Sequence, residues 1–459
     1  MSGRGVLLRY EARRLWTSRA AVAGLAAVLL LGLGAIALGV ARTEESGQAL
    51  LALREQRLAE QQAHLRAANA PDADMALVLY SLALPTVREP SPWAAVSTGL
   101  RDVYPSSQPL RLLGLVPQLH QLELDNPVRQ LTGSFDLAFV LAFLLPLLII
   151  GLGHDALSGD EDLGTASLVR AQPAPVSRLV LLRLGLRAAV VAVLALVLLG
   201  AAVVWTGSPL DERVLYAALL TLGTVALWFL GVLWVASLRR SSAFTALALV
   251  GLWLGSAVLV PALLNLGLSL GFPVPGGIEL TLTQRQEMNA GWDKPKRATM
   301  APFLQRRPEW ASVSVPEDRF SWPWYYAMHE VGDASVEDAL RTYRERLQQR
   351  NAWAERVALA LPPVNVQLLF NRLAGTDLGA QLAYRDSIIA YHEQLKQHFY
   401  PPIFQGARLA SLDFAAIPRH HFRPPEPRLF PGLAGLGLTL LVLAALAPGA
   451  CRRIDRAEP

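Results

Sequence analysis

Between Asp155 and Arg187 the chain gathers charge, glycine and proline in an order that suits docking better than catalysis. The run reads Asp155-Ala-Leu-Ser-Gly-Asp160-Glu161-Asp162-Leu-Gly164-Thr165, then Leu168-Val-Arg170-Ala-Gln-Pro-Ala-Pro175-Val176-Ser177-Arg178, between two apolar stretches. An acidic cluster, a Gly-Thr turn that glycine makes easy, a short apolar helix and a Pro-x-Ser-Arg re-entry form a compact handle for a soluble partner. A plain polar loop is the simpler alternative. Catalytic patterns are missing elsewhere. A phosphate-cradling P-loop needs a Gly-Lys-[Ser/Thr] ending, and the three lysines, Lys294, Lys296 and Lys396, none of them after a glycine, cannot supply it. His329-Glu330 lacks the second histidine of a zinc-protease helix, and there is no Gly-x-Ser-x-Gly elbow. His154-Asp155 could serve a membrane hydrolase, although an acidic cap or loop anchor is the simpler reading. His420 and His421 are adjacent, so one element cannot easily turn both toward one metal ion.

Composition says what must position this handle. The 459 residues are 53% hydrophobic and only 17% charged, with mean hydropathy +0.32, against roughly 25% charged in soluble domains. Much of the chain must therefore be solvated by lipid. A spanning helix needs about 20 apolar residues, and six runs qualify: 20–41, 135–153, 188–206, 214–238, 243–266 and 429–447. The first follows five arginines, but it is too long for the apolar core of a signal peptide and reads as a retained span.

Arginines then orient the spans, since basic residues collect in short cytoplasmic flanks. Arg4, Arg9, Arg13, Arg14 and Arg19 precede the first run. Arg170, Arg178, Arg183 and Arg187 follow the second, Arg239 and Arg240 the fourth, and Arg452, Arg453 and Arg456 the last. With six spans every basic flank falls on one side, so both termini are expected in the cytoplasm. The net charge of +5 follows from these flanks and implies no nucleic acid. The ratio of 39 arginines to three lysines suggests a GC-rich bacterial genome and no more; the six runs together lead to the expectation of a multi-pass protein of the bacterial inner membrane.

Two long segments are then expected outside, at 42–134 and 267–428, both mainly α-helical. Leucines at three-and-four spacing from Leu50 to Leu65 predict an amphipathic helix continuing the first span. Pro273 to Pro323 reads as loop-rich, with Trp292, Trp310, Trp322 and Trp324 suited to core packing rather than to a lipid or peptide groove. Ser335 is the expected N-cap of a helix reaching about Ala360, ended by Pro362-Pro363, and a further helix is expected from about Thr376 to Phe399. The single cysteine, Cys451, falls in the tail at 448–459, so the outer segments must fold by core burial without a disulfide. Residues 1–19 fit an interfacial helix with Leu8, Ala12, Leu15 and Arg19 on one stripe and Trp16 at headgroup level. Asp136 stands at the outer end of the second run, either as a helix cap or as part of an outer gate. The spans hold no midplane carboxylate of the kind an ion-coupled carrier uses.

The order Asp155, Glu161-x-x-Gly164-Thr165, Leu168 and Pro175-Val176-Ser177-Arg178, placed between spans two and three, resembles the coupling-helix loop of type-2 (type V) ABC exporter permeases. The likeness covers essentially the whole chain. More narrowly, Asn126-Pro127, Gly133-Ser-Phe135-Asp136, Leu145-Pro146-Leu147, Leu361-Pro-Pro363-Val-Asn365 and Ala374-Gly-Thr-Asp377 are distantly similar to the permease of the nitrous-oxide-reductase maturation system. The family often has Glu-Arg or Glu-Lys before the Gly-Thr; here Asp162 follows Glu161. The resemblance implies that Asp160, Glu161, Gly164, Thr165, Leu168 and Arg178 dock a separate ATPase dimer, which binds the ATP and Mg. This chain itself would hold no cofactor and catalyse nothing. A second permease chain, identical or related, and a periplasmic protein are the other implied partners. A membrane-anchored scaffold or mechanotransmitter without transport is the main alternative, and a membrane enzyme the remote one.

Overall fold

The first apolar run does not stop at the membrane's width. In the computed structural model, which describes residues 3–67, 74–120, 135–274, 276–407 and 416–456, one helix (α2) runs unbroken from Arg19 to Ala67. Ahead of it lies α1, Gly3–Thr17, separated only by Ser18. The heptad-like leucines after residue 50 are thus the outer half of the same rod, as their spacing predicts.

Among the described residues five helices are long and apolar enough to cross a membrane: α2, α8 (Val176–Thr206), α9 (Glu212–Ala236), α10 (Ser242–Gly271) and α17 (Phe430–Asp455). The second expected span is the shorter α5, Leu137–Gly153. At 1.5 Å per residue it measures about 25 Å, less than a typical hydrocarbon core. Two of these helices carry a π-helical turn, Val140–Leu144 in α5 and Gly255–Leu259 in α10. Each turn lies just before a proline, Pro146 or Pro261, whose missing N–H and crowding ring disturb the preceding turn. Trp253 Nε1 donates to Phe143 O across 3.1 Å, satisfying a carbonyl in one irregular turn from the neighbouring helix. Of the five long helices, α9 is the most enclosed, with 56% of its apolar window buried, against 11% for α10 and α17; the shorter α5 is more enclosed still.

The segments expected outside, outer in that sense alone, carry α3 (Met75–Ser81), β1 (Leu84–Val87), β2 (Ser107–Leu110) and α4 (Leu115–His120) from the first insertion. The second supplies α11 (Gly277–Asp293), α12 (Lys296–Arg306), α13 (Trp322–Ser335), α14 (Glu337–Ala358), α15 (Pro362–Ala374) and α16 (Leu378–Phe404). β1 and β2 pair antiparallel with Leu84 opposite Leu110 and Thr86 opposite Gln108, and these four side chains face the core. Met75, Leu79, Leu110, Phe303, Tyr326, Tyr384 and Phe399 are among the residues that fill one shared outer core, so the two insertions fold together. Inside it Glu330 receives Arg307 at 2.9 Å, Lys396 at 3.3 Å and the Tyr400 hydroxyl at 3.0 Å. Burial raises the Glu330 carboxyl, but these partners outweigh it and hold the group below its ordinary range.

Several sequence expectations change. The stretch from Pro273 to Pro323 holds α11 and α12, because Gly276 and Pro295 begin helices rather than break them. Ser335 closes α13, its hydroxyl donating to Gly332 O, and Val336 precedes α14 instead. Pro362-Pro363 opens α15, and Pro401-Pro402 lie inside the last turns of α16. Trp324 is buried in the outer core, while Trp292 is half exposed and packs edge-on against it at 4.9 Å. Asn126, Pro127, Gly133 and Ser134 lie outside the described residues.

α15 belongs to the second insertion yet packs with the spans. Its Val366, Leu369, Phe370, Leu373 and Ala374 share a continuous core with α2, α5, α8 and α9. Its end is tied to the first insertion: Leu100 N donates to Thr376 O at 2.8 Å, and the Thr376 hydroxyl donates to Ser97 O at 3.1 Å. Under this seat Gly39 of α2 lies so close to Ala95 that a Cβ would stand 2.0 Å from its carbonyl oxygen.

Candidate functional site at the inner junction

Arg183, seven residues into α8, is 4% exposed, so its charge must be paired. Nε donates to Glu11 of α1 at 2.7 Å. Nη1 and Nη2 grip both oxygens of Asp160 at 2.6 and 3.1 Å, and Nη1 also reaches Ala156 O at 3.1 Å. Such a planar fork suits a guanidinium and no other side chain. One turn on, Arg187 binds Asp155 at 2.6 Å and the carbonyl of Leu152 at the end of α5. Arg14 of α1 bridges the two aspartates, 3.9 Å from Asp155 and 3.7 Å from Asp160. Burial pushes the Asp155 carboxyl up, but the charge and hydrogen bond of Arg187 more than offset this and hold it below its ordinary value. The network fastens α1, the end of α5 and the start of α8 into one body.

Three further contacts close the ring. Asp455 at the end of α17 accepts from Ser177 N at 2.8 Å and from the Ser177 hydroxyl at 2.6 Å. It thereby caps the start of α8 in place of Pro175, whose side chain cannot. Ser242, at the start of α10, meets the Ser158 hydroxyl at 2.7 Å and donates to Asp162. Arg239, in the turn before α10, donates to Arg456 O in the tail.

On this frame stand two very short helices, α6 (Gly159–Asp162) and α7 (Ala166–Arg170). The chain reverses between them at Gly164, whose φ of +70° favours glycine. Thr165 seals the turn through its N–H to Asp160 O at 2.8 Å. Leu163 and Leu168 then project into solvent, 67% and 70% exposed. Glu161 and Arg170 form an exposed pair at 2.6 Å beside them. Exposed Arg178 lines, with Leu7, Val169 and Pro175, a cleft of about 310 Å³.

Of the six residues expected to dock a partner, five lie together on or beside this outward knob: Glu161, Gly164, Thr165, Leu168 and Arg178. Asp160 does not. It is 7% exposed and turned inward, held by Arg183 and Arg14, so it positions the loop instead of meeting a partner. Arg183 and Arg187, counted from sequence as basic flanks, are buried partners of Asp160 and Asp155. Glu11 was not singled out; a lone acid among the arginines of α1 was the available signal. In α1, Glu11 and Leu15 are buried against the rest of the chain, while Leu8 and Trp16 are exposed. The His154-Asp155 pair makes no nucleophile-activating arrangement, since the carboxylate is taken by arginines and His154 Nδ1 lies near the main-chain oxygens of Ile150 and Gly151. Among the described residues no group of three metal-binding side chains occurs. At the other end of α5, buried Asp136 accepts from Phe139 N and Thr98 N, both at 2.8 Å, and so caps the helix.

Helices long and apolar enough to cross a membrane thus hold, at one end, a short polar loop with an exposed apolar tip. A family model described as ABC-2 family transporter protein matches residues 6–323, and the chain belongs to that family. It is thus a multi-pass membrane protein and an ABC-transporter permease, from a family that normally works with an ABC ATPase. A second model, a domain of unknown function (DUF3526), matches residues 278–423, much of the second outer segment. No curated protein and no solved structure matches the chain.

Proposed function

We propose that this chain is the membrane subunit of an ATP-driven exporter of the bacterial inner membrane, with six spans and both termini in the cytoplasm. The loop at 154–187 is its docking element for a separate ATPase, which binds ATP and Mg, and two permease chains complete the assembly. One observation carries the reading: Leu163 and Leu168 are exposed on a loop that five other segments hold rigid. An exposed apolar tip on a braced support suits a knob that enters a groove and receives force. Glu161 and Asp162 give the groove a reason to be basic. ATP-driven closure of the ATPase would push the knob, and the Arg183 fork would pass that push to α1, α5 and α8 together. The seating of α15 among the spans supports a mechanical route onward to the outer domain. That same seating is what a mechanotransmitter without transport would need.

The test is a pull-down from detergent-solubilised membranes, comparing wild type with Leu168→Asp and with Glu161→Arg/Leu168→Asp. The expected result is co-purification of an ATPase with wild type and its loss from both variants, with unchanged thermal stability. Retention of the ATPase by the double variant would remove the loop from the interface. If no ATPase accompanies wild type, the energy source is gone and the scaffold reading replaces this one.

A further inference from the structure

A large cavity lies away from the inner junction. It lies in the outer domain, between the far end of α2, β2, the segment leading into α4, and helices α11 and α13, with a volume of about 860 Å³. That is within the range of pockets that take small organic molecules. Arg57, Arg111 and Arg285 stand in its wall, and no carboxylate lines it among the described residues. Arg57 is paired with Glu60 at 2.9 Å, whereas the exposed guanidinium groups of Arg111 and Arg285 have no ion-pair partner among the described residues.

Polar groups at the wall are left unused by the fold. Gln284 is 1% exposed, and neither its amide nitrogen nor its oxygen has a protein partner among the described residues. His329 receives Gly114 N–H on Nδ1 at 3.2 Å, which places the proton of the neutral ring on Nε2. Burial lowers its pKa to about 4, so the ring stays neutral at neutral pH. Nε2 is likewise buried without a protein partner. Buried polar atoms in folded proteins are nearly always paired, so two such side chains on one cavity wall are an unusual concentration. The nearby Asp333 is engaged behind the wall, accepting from Leu115 N at 2.6 Å and Val116 N at 3.3 Å. Leu113, Met288, Pro109 and Pro117 supply an apolar flank.

We propose that this cavity is a binding site for a small soluble organic anion, a carboxylate or phosphate ester. Arg111 and Arg285 neutralise the anionic group, Arg57 adds to the positive wall, and Gln284 and His329 Nε2 hydrogen-bond the polar remainder. The apolar flank takes the carbon skeleton. A lipid headgroup would offer the same chemistry, but the position argues against it. Arg57 lies about 24 Å along α2 beyond Ala41, where the proposed first span ends, which is past the headgroup layer.

The test uses the full-length protein in detergent micelles, titrated calorimetrically with citrate and with glycerol 3-phosphate, against neutral glycerol as control. Saturable binding of at least one anion and none of glycerol is expected, with at least a tenfold loss of affinity in Arg111→Gln/Arg285→Gln. Both arginines are exposed, so the variant should keep the wild-type melting temperature. Gln284→Leu is the second variant and should also weaken binding while keeping the apolar flank. Equal affinity in the double-arginine variant, equal binding of glycerol, or no binding of either anion at millimolar concentration would overturn the proposal. Thermal stabilisation seen only in phosphatidylglycerol nanodiscs, and not in phosphatidylcholine nanodiscs with soluble anion added, would overturn the soluble source in favour of a headgroup. The outcome is independent of ATPase docking at the inner loop, so either result leaves that reading testable by its own pull-down.

Discussion

The inner junction and the outer seat of α15 solve the same problem by opposite means. Both join segments far apart in the chain: Glu11 and Arg183 are 172 positions apart, and Ser97 and Thr376 are 279 apart. The inner joint is made of charges meeting in fixed geometry. The outer joint is made of main-chain hydrogen bonds, apolar packing and a close approach at Gly39. A charge network is all-or-none, because removing one member strands the others without solvent. A packed seat yields by degrees, as each atom removed or added costs a little. The inner joint should therefore fail as a unit, and the outer seat by degrees.

Breaking the inner joint should have the largest effect. Arg183→Leu strands Glu11 and Asp160 and should cost about 3–5 kcal/mol, read as a lowered melting temperature of the detergent-purified protein. Arg183→Lys should recover only part of it, because an ammonium cannot span both carboxylates. An unchanged melting temperature for Arg183→Leu would show that the joint is not all-or-none.

Acid separates the two ends next. In the outer domain burial lowers His329 to about 4 and His392 to about 3, so on acidification the unfolded chain takes up protons there first. Stability is lost as pH falls from about 6.5 toward 4. Asp333, raised to about 6 by burial, opposes this, since its protonated form is favoured in the fold. The net loss is on the order of 3 kcal/mol. The Asp155 contribution at the inner joint is full above its ordinary carboxylate value and is lost only below about pH 4. Hydrogen exchange, corrected for intrinsic rate, should show the outer domain losing protection at pH 5 while α8 keeps it. The reverse order would contradict this assignment.

Overpacking the outer seat comes third. Gly39→Ala places a methyl group against Ala95 O and should cost about 1–3 kcal/mol, measured by denaturant or thermal unfolding. No cost would mean that α2 and the turn at Pro92–Ala95 slide freely. The smallest effect belongs to the exposed Glu161–Arg170 pair on the loop between α5 and α8. Glu161→Gln should change stability by less than about 1 kcal/mol, so any strong loss of ATPase co-purification in that variant reports the partner and not the fold.

Sequence showed the parts that depend on local pattern. The long α2 was legible from three-and-four leucine spacing, the apolar runs from hydropathy, and the reversal at Gly164 from glycine beside threonine. Facing was not legible. Asp160 and Glu161 are neighbours of one charge, yet the first is locked inside and the second is exposed, and only the distant Arg183 decides which. Proline misled for a related reason: at Pro295 and Pro362-Pro363 it opens helices, because its missing N–H is among those a helix start leaves unused. The outer cavity was invisible because Arg57, Arg111, Arg285 and His329 come from four separate elements.

α2 has one more consequence. It contains no proline and no irregular turn, unlike α5 and α10, and it runs from Arg19, just past α1 and the inner joint, to the cavity at Arg57, about 57 Å of stiff rod. On such a lever a tilt of about 5° at the base carries the tip about 5 Å sideways, the width of a side chain. The pocket's mouth and the inner joint therefore sit near the two ends of a single beam, and neither can be re-aimed without the other registering it.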